Sequence, residues 1–212
     1  MKKLWHKLDL DPTGALRDDL DLSFVDGPDP QYEWTWGAYE NELTDVFNEQ
    51  WLDYMESKNC RPTSILVFYK PVNWGDNIHI DGEQFVNYGV NLIANPGYVN
   101  GTGADQKYKN WKDTATMKWY DTDSAKHDLK KGKAIDFSYE YIKVPDDESA
   151  KQIDSAIFNN GIYLASAKVP HQVVTTNQAR LCFSLRGCIK SDIPDDWENT
   201  VKHFKNIGLI ID

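Results

Sequence analysis

Between residues 63 and 186 the hydrophobic positions of this chain fall mostly on every second residue, whereas in the segment before it they fall on every third or fourth. Leu43, Val46, Phe47, Trp51, Tyr54 and Met55 keep the spacing that turns one face of a helix toward a core, and they predict a helix over about 38–57. Residues 1–36 are acidic, interrupted by proline and weakly periodic; they predict an irregular arm with one short strand. Beyond residue 63 the β-rich runs are 65–69, 77–81, 85–93, 117–120, 137–144, 161–165, 171–175 and 180–186, most of them bounded by Gly, Pro, Asn or Asp. Residues 71–76 and the Gly-, Asp- and Lys-rich stretch 100–116 predict loops, the second of a length that compact domains usually keep for lids. Asp195 and Asp196 ahead of Trp197 read as the capped start of a C-terminal helix ending near Lys205.

Seven or eight short strands separated by turns predict a sandwich or barrel, with a helix over one face. The expected fold class is therefore mainly β with flanking helices, in a single domain over 1–212. Within it, 1–60 form the arm and first helix, 63–188 the β core and 193–212 the C-terminal helix.

Composition narrows the partners. The net charge is -10, and the basic residues are not gathered into the stripe that neutralising phosphates requires, so no nucleic-acid partner is expected. Cys60, Cys182 and Cys188 are odd in number and show no CxxC spacing, which predicts reduced thiols and a cytoplasmic location. The basic start of the chain leads into no apolar run, and 18 apolar residues never occur together, so neither a signal peptide nor a membrane span is expected.

Candidate chemistry centres on two of the five histidines. His6, His127 and His203 lie in polar segments and read as solvated. His79 and His171 lie in β-rich runs, where a polar ring needs a partner. His79 and Asp81 are two apart, so a strand projects both to one face. With His171 as the third ligand they make the two-histidine, one-carboxylate set that holds ferrous iron on one side and leaves three positions open. His-x-Asp alone is common by chance; the order of the other residues narrows the reading. Arg180 follows His171 by nine residues at the head of a strand, and Arg186 shares its face with Arg180, Cys182 and Ser184. A diacid chelating iron by one end leaves a carboxylate that suits a planar, forked cation, and either arginine is placed for that role.

The ordered set His79-x-Asp81, His171, Arg180 resembles the Fe(II)/2-oxoglutarate-dependent oxygenase superfamily. The nine-residue gap is similar to its prolyl hydroxylase branch, as is Tyr69, ten residues before His79. Asn91 and the segment Met117, Lys118, Trp119, Tyr120 are similar to a group of small oxygenase-like proteins, many of them phage-encoded. The resemblance covers about 63–188. It implies a double-stranded β-helix (a jelly roll of cupin-like type), Fe(II) on His79, Asp81 and His171, and 2-oxoglutarate and O2 as co-substrates. It further implies that Arg180 binds the distal carboxylate, with Arg186 a competitor at the longer spacing some branches use. Tyr69 would hydrogen-bond to the co-substrate, Asn91 would contact co-substrate or substrate, and Trp119 and Tyr120 would line the mouth, core packing being an equal reading for the last two. Many members carry Ser two residues after the Arg; here Cys182 stands there, a weaker donor.

The implied activity is oxidative decarboxylation of 2-oxoglutarate coupled to hydroxylation of an unactivated C–H bond, on a peptidyl or free amino-acid side chain or another small molecule. Asp81 implies hydroxylation over halogenation, and a phage-encoded member would work in the host cytoplasm. Two other readings stand beside it: a non-redox cupin-type metalloenzyme on zinc or manganese, and a non-catalytic jelly-roll binding or structural module.

Overall fold

The computed structural model describes residues 3–17, 20, 34–39, 42–71, 73–81, 88–94, 115–133, 138–144, 149–158, 161–176, 180–188 and 196–210. Among them the alternating runs form strands β1 (Trp5–Lys7), β2 (Trp34–Tyr39), β3 (Ser64–Lys70), β4 (His79–Asp81), β5 (Tyr88–Ala94) and β6 (Ala115–Asp121). The later strands are β7 (Asp128–Lys133), β8 (Ser138–Lys143), β9 (Lys151–Ile157), β10 (Gly161–Ser166), β11 (His171–Thr175) and β12 (Arg180–Arg186). Helices α1 (Leu43–Val46), α2 (Glu49–Ser57) and α3 (Trp197–Asn206) complete the set. Every strand pairing is antiparallel, in two six-stranded sheets ordered β1-β10-β5-β12-β3-β2 and β7-β8-β4-β11-β6-β9. From β3 to β6, and again from β9 to β12, the chain crosses from one sheet to the other at each step.

Strand β12 shows how the layers meet. Its odd residues Leu181, Phe183 and Leu185 belong to the main apolar cluster, where Phe183 meets Phe47 edge-on at 6.1 Å between ring centres. On neighbouring β5, Tyr88 packs against Phe204 of α3. The helices thus cover one face of the first sheet, as the three-and-four spacing requires. The even residues of β12 face the second sheet across a cavity. Asp196 caps α3 by accepting from the backbone N–H of Asn199, as the sequence predicts.

Two expectations about the first helix change. The helix predicted over 38–57 starts at Leu43, and residues 34–39 instead form the edge strand β2 beside β3. The helix is also broken after Val46, where Asn48 turns its amide to the carbonyls of Gly14 and Leu16. The described part of the N-terminal arm carries the short strand expected there, β1, which pairs with β10, and it buries Leu4, Leu8, Leu10, Ala15 and Leu16. The predicted loop 100–116 lies outside the described residues up to 114, and Ala115 and Thr116 already belong to β6. Residues 85–87 and 137 of two predicted strands also lie outside them. No helix among the described residues is long and apolar enough to cross a membrane.

Candidate metal centre

Backbone pairing brings the two histidines together. His79 of β4 and His171 of β11 are directly opposite each other in the ladder, so their side chains rise from the same face, and their ring centres are 4.5 Å apart. Asp81, two residues along β4, rises beside them. Its Oδ1 is 3.8 Å from His79 Nε2 and 3.7 Å from His171 Nε2. These separations are too long for hydrogen bonds and leave room for an ion with bonds of about 2.0–2.2 Å to nitrogen and oxygen. One ligand atom from each of the three residues lies within 4.8 Å of the other two.

The other ring nitrogens fix the orientation. His79 Nδ1 is 2.9 Å from the carbonyl of Asn77, and His171 Nδ1 is 2.9 Å from that of Val169. A carbonyl only accepts, so each Nδ1 is the donor and each ring turns its Nε2 toward Asp81. A lone pair from His171 and a carboxylate oxygen then point into one small volume, an arrangement a cation relieves. Burial, followed by the nearby His79, lowers the His171 pKa to about 4 against the pull of Asp81. Burial pushes the Asp81 carboxyl up, but Arg186, His171 and His79 together outweigh it and hold it below its ordinary value. Arg186 from the opposite sheet reaches Asp81 Oδ2 at 3.3 Å and the Tyr88 carbonyl at 3.2 Å, leaving Oδ1 turned to the histidines.

A pH dependence follows. Below pH 6.5 an unfolded His171 takes up a proton that the folded one refuses until about pH 4. The unfolded state binds more protons across that window, so stability falls with pH. The metal-free protein should lose roughly 3 kcal/mol between pH 7 and pH 4 from this side chain alone, with Asp81 adding to the loss at the acid end. Denaturant titrations of chelator-treated protein at several pH values check this, and a flat profile would contradict it.

The triad opens onto a cavity between the sheets, with about 570 Å³ of empty space when the open solvent at its mouth is included. Phe68, Met117 and Val173 give it apolar walls. Arg180, Cys182, Ser184 and Arg186 line it along β12, as their shared face predicts. Arg180 is 4% exposed, its Nε has no hydrogen-bond partner, and among the described residues no carboxylate pairs with it. Burial raises the Cys182 thiol pKa, which Arg180 beside it partly offsets. Ser184 Oγ is buried without a partner as well.

Asn91 lies on the cavity wall, with its Oδ1 3.6 Å from Cys182 Sγ and its amide nitrogen 3.4 Å from the Gly89 carbonyl. Gly89 completes that wall: a Cβ there would stand 2.9 Å from Ser184 Oγ, so a side chain would crowd the cavity. Tyr69 lies elsewhere. Its register partner is Leu181, and it packs against the apolar cluster on the far face of the sheet. Trp119 is fully buried in the core and donates to the Ser166 carbonyl at 3.0 Å. Tyr120 packs in a small cluster with Ile78 and Val144 and donates to Gln172. Neither lines the cavity.

Two charged cavity residues are missing from the candidates that the sequence offers. Lys70, the register partner of Arg180, reaches Asp76 with Nζ 2.7 Å from Oδ1. Both side chains are largely buried, and both line the cavity. Asp76 is fixed by a segment that continues the line of β4 along β11. Asn73 donates to the Thr176 carbonyl, Trp74 exchanges bonds with Thr175, Asp76 donates to Val173, and the Gln172 amide donates to the Asp76 carbonyl. The period-two signal is lost in this stretch, which is why the sequence shows only a loop. No protein-family model matches the chain, and no curated protein sequence matches it.

Proposed function

We propose that the chain is an Fe(II)- and 2-oxoglutarate-dependent oxygenase on a double-stranded β-helix, with iron held by His79, Asp81 and His171. The observation that carries this reading is the buried guanidinium of Arg180. A charge is costly to bury without a counter-charge, and this one lines the same cavity as the triad. A diacid with one end at a metal on the triad would bring its other carboxylate to Arg180. A cupin-type site for a neutral ligand has no use for that cation, and an incidental His-x-Asp has none for the converging histidines.

The strand order supports the fold half of the reading. With β7 and β8 set aside as an inserted hairpin, the eight strands β3, β4, β5, β6 and β9 to β12 change sheet at every step but the middle one, where β6 and β9 pair as neighbours. One sheet runs first, eighth, third, sixth and the other second, seventh, fourth, fifth, as a jelly roll does.

Iron(II) bound there with 2-oxoglutarate and O2 would supply the oxidising power for C–H hydroxylation, with succinate and CO2 as the other products. The chain's own work is positioning. The Asn77 and Val169 carbonyls hold the two imidazoles, Arg186 holds the Asp81 carboxylate, Arg180 takes the distal carboxylate and the apolar wall excludes water. Of the two arginines, Arg186 is engaged with Asp81, so Arg180 is assigned to the co-substrate. The test is anaerobic addition of Fe(II) and 2-oxoglutarate, which should give the weak visible charge-transfer band of the chelate. Protein that takes up iron but gives no band on adding 2-oxoglutarate would sink the reading.

A further inference from the structure

Arg180 and Lys70 stand side by side across the β12–β3 ladder, and both face the cavity. Two like charges so placed repel each other, and largely buried they do so with little screening. Lys70 pairs with Asp76, and among the described residues no carboxylate pairs with Arg180, so the described residues at this end of the cavity carry more positive than negative charge. Asp76 is held by backbone bonds to β11, on the sheet opposite Lys70, so the Lys70–Asp76 pair spans the two sheets. Trp74 Nε1, 3.3 Å from the same Asp76 oxygen, fixes the carboxylate further.

We infer that Lys70 is a specificity-determining residue, a second cation that joins Arg180 on the far carboxylate of the ligand and makes the cavity select a dicarboxylate over a 2-oxo monoacid. Asp76 acts as its positioning residue, holding the ammonium against the cavity wall. The inference rests on the 2-oxoglutarate reading, since it concerns the end of the same cavity away from the triad. Lys70 is not interchangeable with the apolar residue its place in a β core would suggest: a methionine of similar length fills the space but cannot bind an anion.

The test is titration of Mn(II)-loaded protein with N-oxalylglycine, a diacid, and with 2-oxopentanoate, a monoacid. Wild type should bind the diacid more tightly. Lys70→Met should weaken N-oxalylglycine roughly 10- to 100-fold, the range for hydrogen bonds between charged groups, and leave 2-oxopentanoate unchanged. Lys70→Arg should keep the preference. Because Lys70→Met removes the cation facing Asp76, the double variant Lys70→Met/Asp76→Asn is titrated beside it and should lose the preference in the same way. Unchanged diacid binding, or equal loss of both ligands, in whichever of these variants stays folded would overturn the role given to Lys70. Failure of Mn(II)-loaded wild type to bind N-oxalylglycine at all would instead overturn the underlying co-substrate reading.

Discussion

Replacing His171 by alanine should strip the centre of its metal and at the same time make the metal-free protein more tolerant of acid. The first effect is the loss of one of three converging ligands. Structural zinc sites gather about 10–16 kcal/mol from four ligands, and by that scale one ligand corresponds to an affinity loss on the order of 10² to 10³-fold. Competition against a chelator of known affinity measures it directly. The second effect comes from the imidazole's protonation. In the wild type, His171 refuses a proton down to about pH 4 because it is buried and faces His79. That refusal costs stability as the pH falls, and alanine has nothing to protonate. At pH 7 the variant pays for the lost packing of a side chain in a site only 5% exposed, so its stability curve should start lower and fall less steeply between pH 7 and pH 4. A variant that keeps wild-type metal affinity would remove His171 from the ligand set. Parallel acid profiles would remove the physical account of its protonation.

Arg180→Met should separate binding from stability in the opposite sense. The guanidinium is buried and no described carboxylate pairs with it, so it costs desolvation that the ligand-free protein does not recover. Methionine fills much of the same space without that cost. The ligand-free variant should therefore unfold at the same denaturant concentration as the wild type or a higher one. Its affinity for 2-oxoglutarate should fall by about 100-fold, the equivalent of roughly 3 kcal/mol for a charge-assisted contact. Metal uptake should be spared, because the Asp81 carboxylate is held by Arg186 and not by Arg180. Marked destabilisation together with intact 2-oxoglutarate binding would make Arg180 a structural residue.

Where the fold was legible in the sequence, side chains alternated between a core and a cavity or solvent. Strands β3, β4, β10, β11 and β12 appear where the period-two runs place them. β7 and β9 do not show in the sequence because both are sheet edges. β7 reads Asp-Leu-Lys-Lys-Gly-Lys, and its Leu129 is 61% exposed, so no buried face forces an alternation. The His79–Asp81 pair was legible because a two-residue spacing in a strand puts both side chains on one face, whereas the pairing of His171 with His79 shows only in the ladder. The cavity's far end was not legible. Counting ten residues back from His79 reaches Tyr69, but counting does not say which face that residue takes. The ladder pairs Leu181 with Tyr69 and Arg180 with Lys70, and a one-residue difference in a strand exchanges core for cavity. Asp76 was out of reach for another reason: its placement depends on bonds to β11, almost 100 residues later, and no local pattern encodes them.

The sheets differ in what they contribute to the cavity, and this has a mechanical consequence. His79, Asp81 and His171 all belong to one sheet, and His79 and His171 are paired in its ladder, so their spacing does not depend on how far apart the two layers stand. Arg180 belongs to the other layer. A molecule reaching from the triad to Arg180 would act as a tie-rod through the sandwich, its length fixing the gap that Arg186 and Lys70 already brace from the same sheet as Arg180. Breathing of the layers against each other would then be damped by occupancy, and a ligand too short to reach both walls would leave the gap free to fluctuate.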